Sequence, residues 1–142
     1  MQLTYRPAVE SDMNMLYDIR FSVEENRCYD PAEIPVSRVL PVLREGGSFV
    51  CLDGDWPVGF SMASFEIGEL FGLFLRPGYH RRGIGRRLLE LAVDWMRKKD
   101  AAGMRLLTDP GTRAESLYRA AGWEAEGMAE TGEILLVLRL KP

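Results

Sequence analysis

Leu70-Phe-Gly-Leu-Phe-Leu75-Arg-Pro-Gly-Tyr-His80-Arg-Arg-Gly83-Ile-Gly85-Arg-Arg-Leu-Leu-Glu-Leu91 carries the key to this chain. It reads as an apolar strand, a sharp basic turn with Gly83 and Gly85, and the opening of a helix. Such a turn bares backbone N–H groups at the positive end of a helix dipole, an arrangement that suits an anionic phosphate. His80, Arg81, Arg82, Arg86 and Arg87 crowd the same turn, although the formal net charge of the chain is −3. The basic cluster is therefore a local exception that calls for an anionic partner.

The glycine spacing separates the phosphate-binding loops. A P-loop needs G-x-x-x-x-G-K-[ST], and no Lys-Ser or Lys-Thr pair follows here. A dinucleotide fingerprint needs G-x-G-x-x-G, and Leu88 stands where its third glycine belongs. What remains is x-x-x-G-x-G opening a helix. His80-Arg81-Arg82-Gly83-Ile84-Gly85 resembles motif A of the GNAT N-acetyltransferase superfamily, Gln/Arg-x-x-Gly-x-Gly/Ala, with His80 replacing the first residue. A second signature, Asn-x-x-Ala-x-x-x-Tyr-x-x-x-Gly-Phe, is similar to Gly111-Thr-Arg-Ala114-Glu-Ser-Leu-Tyr118-Arg-Ala-Ala-Gly122-Trp123, with Gly111 in place of Asn.

The rest of the chain reads in the same order as that superfamily. Residues 3–7 are a short strand, and Ser11 is expected to cap a helix running to about Asn26. Asp30–Pro35 is a loop. A helix over Ser37–Glu45, disturbed by Pro41, ends at Gly46-Gly47. Ser48–Leu52 and Pro57–Phe65 are strands joined by Asp53-Gly54-Asp55, and Glu69–Leu75 is the next strand. From Gly83 to about Lys99, Leu88, Leu89, Ala92, Trp95 and Met96 form one apolar stripe. Met104–Thr108 is a strand. Thr112 and Glu115 form a capping box for a helix that buries Ala114, Leu117, Tyr118 and Ala121. Trp123–Met128 and Glu133–Leu140 close the chain as strands. The order β-α-α-β-β-β-α-β-α-β-β matches a GNAT-like α/β (α+β) domain. Its sheet is mixed, mostly antiparallel, with about seven strands and about four flanking helices.

Composition bounds the rest. With 142 residues, 46% of them hydrophobic, a single domain over 1–142 is expected. No apolar run approaches the ~20 residues of a membrane span. The opening Met-Gln-Leu-Thr-Tyr-Arg lacks a signal-peptide layout, and Cys28 and Cys51 read as free thiols, so a cytoplasmic location is expected. Residues 1–66 hold 5 Lys/Arg against 11 Asp/Glu, and residues 67–142 hold 13 against 10. The basic half suits an anionic cofactor and the acidic half a cationic acceptor. The acidic balance argues against nucleic acid as a partner.

What the resemblance implies is a transfer of an acetyl group from acetyl-coenzyme A to a primary amine, on a small molecule or a peptide, by direct attack in a ternary complex. No metal and no membrane take part, and the superfamily includes homodimers. Leu73, Phe74 and Leu75 would pair with pantetheine. The amides of Arg81, Arg82, Gly83, Ile84, Gly85 and Arg86 would hold the pyrophosphate, with the main chain of Gly111 nearby. Tyr118 would protonate the departing thiolate, and a main-chain N–H near Leu75 would stabilise the oxyanion. Glu69 is the candidate base, on a strand face expected to include Phe71 and Leu73. Glu24, Glu25, Asn26 and Glu133 are candidates for the acceptor pocket. A non-catalytic acyl-CoA sensor or scaffold of the same fold is the rival reading. Gly59-Phe-Ser61-Met-Ala63 is loosely similar to a nucleophile elbow but sits between strands rather than at a strand–helix turn.

Overall fold

The computed structural model describes residues 1–142. Strand β1 (Leu3–Pro7) leads to helix α1 (Met13–Ser22) and helix α2 (Val36–Glu45). Strands β2 (Ser48–Asp53), β3 (Trp56–Ser64) and β4 (Glu69–Leu75) follow as a meander. Helix α3 (Ile84–Lys98), strand β5 (Gly103–Thr108), helix α4 (Arg113–Ala120) and strands β6 (Glu124–Met128) and β7 (Ile134–Arg139) complete the chain. The seven strands form one sheet in the order β1-β2-β3-β4-β5-β7-β6. Every neighbouring pair is antiparallel except β4 and β5, which run parallel. No helix is long and apolar enough to cross a membrane.

Each sheet face buries its own core. On one face, Leu88, Ala92 and Met96 of α3 share a core with Val58, Leu70, Leu73, Leu75 and Leu136 of the sheet. Under α1 and α2 lie Leu16, Ile19, Val42, Phe60 and Met62, with Phe71 and Phe74 packed against them. Close approach of α3 to the sheet depends on glycine. A Cβ at Gly59 would fall 2.5 Å from Leu75 Cδ2 and 3.2 Å from Leu88 Cδ1. Ser61, from the elbow-like pentapeptide, is fully buried and donates its hydroxyl to the Leu88 carbonyl at 3.1 Å, so it serves to seat the helix.

Several local expectations are corrected. Helix α1 stops at Ser22 rather than near Asn26, because Val23 turns extended and Asn26 takes a left-handed conformation (φ 53°). Ser11 is not its cap. The Asp12 carboxylate accepts the Val9 N–H at 2.8 Å and a paired contact from Arg6, and a short 3-10 turn (Glu10–Asp12) precedes the helix. Ala121 is exposed, because α4 ends at Ala120 and its apolar side is carried by Leu117 and Tyr118 one turn earlier. Glu69 does not share a face with Leu73. A bulge opposite Met62/Ala63 resets the alternation of β4, so Leu70, Leu73 and Leu75 face α3 while Phe71 and Phe74 face α1 and α2.

Candidate active site

Strands β4 and β5 meet at a single register pair, Glu69↔Arg105, reinforced by the Arg105 N–H on the Gly68 carbonyl at 3.0 Å. Beyond it they diverge. The Arg76 amide donates back to Val58 of β3 at 2.8 Å. Alternation along the strand therefore turns the N–H and C=O of Leu73 and Leu75 toward the opening gap, where β5 no longer reaches them. A parallel edge is thus left unpaired inside the molecule, and an extended ligand chain with its own amides can occupy it.

Downstream of β4, Arg76 anchors the chain. Its guanidinium pairs with Asp18 at 2.8 Å, donates to the Pro57 carbonyl at 2.6 Å and stacks on Trp56. The turn that follows places Arg81 (φ 63°) and Gly83 (φ 81°) in left-handed conformations. The amides of residues 81–86 find no acceptor within the chain; the first bonded amide is that of Arg87, on the Gly83 carbonyl at 3.1 Å. These donors converge at the N-terminus of a 15-residue helix. Gly85 is buried there, and a Cβ would come within 3.2 Å of Leu117 Cδ2, so this glycine also lets α4 lie against the loop. Ile84 is fully buried, which leaves only its main chain to face a ligand.

Two neighbouring cavities occupy the gap. One, of about 270 Å³, lies by the turn and is lined by Glu24, Glu25, Asn26, Leu73–Leu75 and His80. The other, of about 650 Å³, runs between the strands and is lined by Asn26, Glu69, Leu73, Phe74, Tyr118 and Glu133, among others. Asn26, Leu73, Phe74 and Ala114 border both. The structure therefore separates two sets of carboxylates. Glu24 and Glu25 stand at the turn, whereas Glu69 and Glu133 stand in the larger cavity. Glu25 pairs with Arg113 at 3.0 Å and accepts the Arg113 N–H at 3.2 Å, covering the start of α4. The Asn26 side-chain oxygen accepts the Asp109 N–H at 2.8 Å, tying the α1 exit to the end of β5.

Glu69 pairs with Arg105 at 3.2 Å, and Glu133 accepts the Thr131 hydroxyl at 2.9 Å. Tyr118 is 4% exposed and its ring packs on Trp123 at 5.5 Å. Its hydroxyl has no partner within the chain, and the residue borders the larger cavity. Burial pushes the phenol well above its ordinary value. Burial, assisted by the Arg113 charge, pushes His80 below its usual range. At α4, Thr112 accepts the Glu115 N–H at 3.2 Å as expected, but the Glu115 carboxylate reaches past the cap to the Gly111 N–H at 2.8 Å. None of residues 81–86 borders either cavity, nor does Gly111 (φ 76°); the turn meets the smaller cavity through Pro77, Gly78 and His80. Arg20, Arg27, Cys28, Arg38 and Asp109 line the larger cavity and escape sequence reasoning, since nothing in their spacing marks them.

The splayed parallel pair lies beside a glycine turn of unbonded amides, and comparison with known proteins gives the family of this fold. The chain belongs to the acetyltransferase (GNAT) family, whose sequence model matches residues 12–123. Solved structures of similar fold include a GNAT-family acetyltransferase of Staphylococcus aureus Mu50 (TM-score 0.82, 16% identity, 99% of this chain and 100% of that one). Another is the PaiA N-acetyltransferase of Thermoplasma acidophilum in complex with coenzyme A (0.75, 18%, 98% and 99%). A third is YncA, a putative acetyltransferase of Salmonella typhimurium with acetyl-CoA (0.76, 16%, 100% and 96%). No curated protein matches the chain in sequence.

Proposed function

We propose that this chain transfers the acetyl group of acetyl-coenzyme A to a primary amine within a ternary complex. One observation carries the reading: the run of unbonded amides at residues 81–86, which follows the unpaired edge of β4 after the short turn at residues 76–80. A diphosphate satisfies the first and a pantetheine chain the second. Arg81, Arg82 and Arg86 add positive charge to the turn, and none of them has a carboxylate within ion-pair distance.

The residues then divide the chemistry. The Leu75 N–H faces the gap, where it can stabilise negative charge developing on the thioester carbonyl oxygen. Tyr118 keeps its proton at all ordinary pH values and can give it to the departing sulfur. An amine arrives protonated, with a pKa of about 8 for an α-amine and about 10.4 for a lysine amine, and must lose a proton before attack. Glu69, Asp109 and Glu133 border the larger cavity where that proton can be taken, directly or through water.

Calorimetric titration with coenzyme A and thiol release from acetyl-CoA against a panel of primary amines test this. Binding together with amine-dependent thiol release is expected. Binding with no release for any amine would make the chain a ligand-binding module, and absence of binding would remove the whole assignment.

A further inference from the structure

The chain has 15 arginines. Nine of them, including Arg6, Arg44, Arg76, Arg105 and Arg113, have a carboxylate within 4.0 Å. The six without one fall in two groups. Arg81, Arg82 and Arg86 belong to the phosphate turn. Arg20, Arg27 and Arg38 line the larger cavity on the side of α1 and α2, opposite β5. The first group already has an anionic ligand in the reading above; the second has none.

Arg20 is the central member. Its guanidinium carbon lies 4.0 Å from the Phe74 ring centroid, and its Nη1 is buried with no hydrogen-bond partner. A guanidinium keeps its charge even when desolvated, so an unsatisfied buried N–H is costly. Arg38 sits 5.2 Å above Phe71 in the same manner. Stacking on an aromatic face fixes the guanidinium plane, which readies its edge for a bidentate carboxylate. Glu33 and Asp109 border the same cavity, yet neither comes within ion-pair distance of these arginines.

We infer that the acetyl acceptor carries a carboxylate, seated by Arg20, Arg38 and Arg27, and is a small amino-acid-like zwitterion. The inference rests on the transferase reading and names its substrate class. The amine then lies toward Glu69, Asp109 and Glu133, while the carboxylate lies against the arginine wall. In the transfer a nitrogen–carbon bond forms and the carbon–sulfur bond breaks. The ammonium gives one proton to a carboxylate or water before attack, the tetrahedral adduct loses a second from nitrogen, and Tyr118 protonates the thiolate and is reprotonated by that second proton, so one proton is released overall. The products are an N-acetyl amino acid and coenzyme A.

The test measures kcat/KM by thiol release for a set of α-amino acids, each paired with its carboxamide. With the wild-type chain, acids should exceed their amides by about 10- to 100-fold. In Arg38→Met and Arg20→Met that ratio should fall toward one, with coenzyme A affinity retained. Arg38 is exposed, so its variant keeps the test decisive if the Arg20 variant folds poorly. Carboxamides turned over as well as acids would overturn the inference and leave the transferase reading standing. So would an acid preference undiminished in Arg38→Met. Coenzyme A binding without turnover of any amine would end both.

Discussion

Tyr118 presents a hydroxyl without a partner to the cavity, on a ring held by Trp123. Its removal should cost chemistry rather than stability. Tyr118→Phe is expected to lower kcat by about 100-fold, the lower range for loss of a positioned proton donor. Coenzyme A affinity and the urea midpoint should stay near wild type. Unchanged turnover would exclude the phenol as the proton source. Because burial raises the Tyr118 pKa, the wild-type rate should show no alkaline fall from this group near pH 10. The rate should instead climb with pH as the amine deprotonates. The second signature pointed to this tyrosine; only the packing of α4 revealed that its hydroxyl is free.

At the scale of elements, the join between β1 and α1 depends on Asp12. Its carboxylate accepts two bonds from Arg6, at 2.8 and 3.0 Å, and one from the Val9 amide. The Arg6 hydrogen bonds, then the Val9 amide and the Arg6 charge, hold its pKa below the ordinary 3.8 despite burial. A carboxyl depressed in the folded state stabilises fully above its unfolded pKa. That stabilisation is lost as pH falls through the lower folded value. Asp12→Asn should therefore cost about 1–3 kcal/mol at pH 7 and progressively less below pH 4. Urea denaturation at pH 7 and pH 3 reads the difference; an equal cost at both would assign the stabilisation to packing. The 3-10 turn was illegible because Ser11 and Asp12 are both good caps, and the choice between them was made by Arg6 on a neighbouring strand. The α3 stripe was read correctly, although Trp95 is half-buried: its ring lies over Gly47, where a Cβ would sit 2.5 Å from it.

At the scale of the molecule, a ligand seated in the gap as proposed would touch several separate segments of the chain. The gap is bounded by the α1 exit, β4, the turn at Pro77, Gly78 and His80, the end of β5 and α4. Binding to these together should stabilise the whole fold. At a hundredfold excess over Kd the gain is about 2.7 kcal/mol, a rise in Tm of about 8 °C for a chain of this size. Scanning calorimetry with and without coenzyme A measures it. Gly83→Val should abolish most of the rise, because φ 81° is strained for a β-branched residue and the turn would move its amides. An undiminished rise in that variant would place the diphosphate elsewhere.

What the amino-acid order settled by itself was whatever lies within a few bonds: the glycines that turn the chain, the helix that follows, its apolar stripe, and the cap at Thr112. These depend on φ, on helical periodicity and on hydrogen bonds between near neighbours, all written locally. Only tertiary structure decided which face each residue of β4 presents, since the bulge arises from pairing with β3. It also decided that Glu25 would be taken up by Arg113, 88 positions away. And it left Arg20, Arg27 and Arg38 without carboxylates in a chain where acidic residues outnumber basic ones, 21 to 18. A side chain's partner is set by where distant segments come to rest, and no local pattern records that.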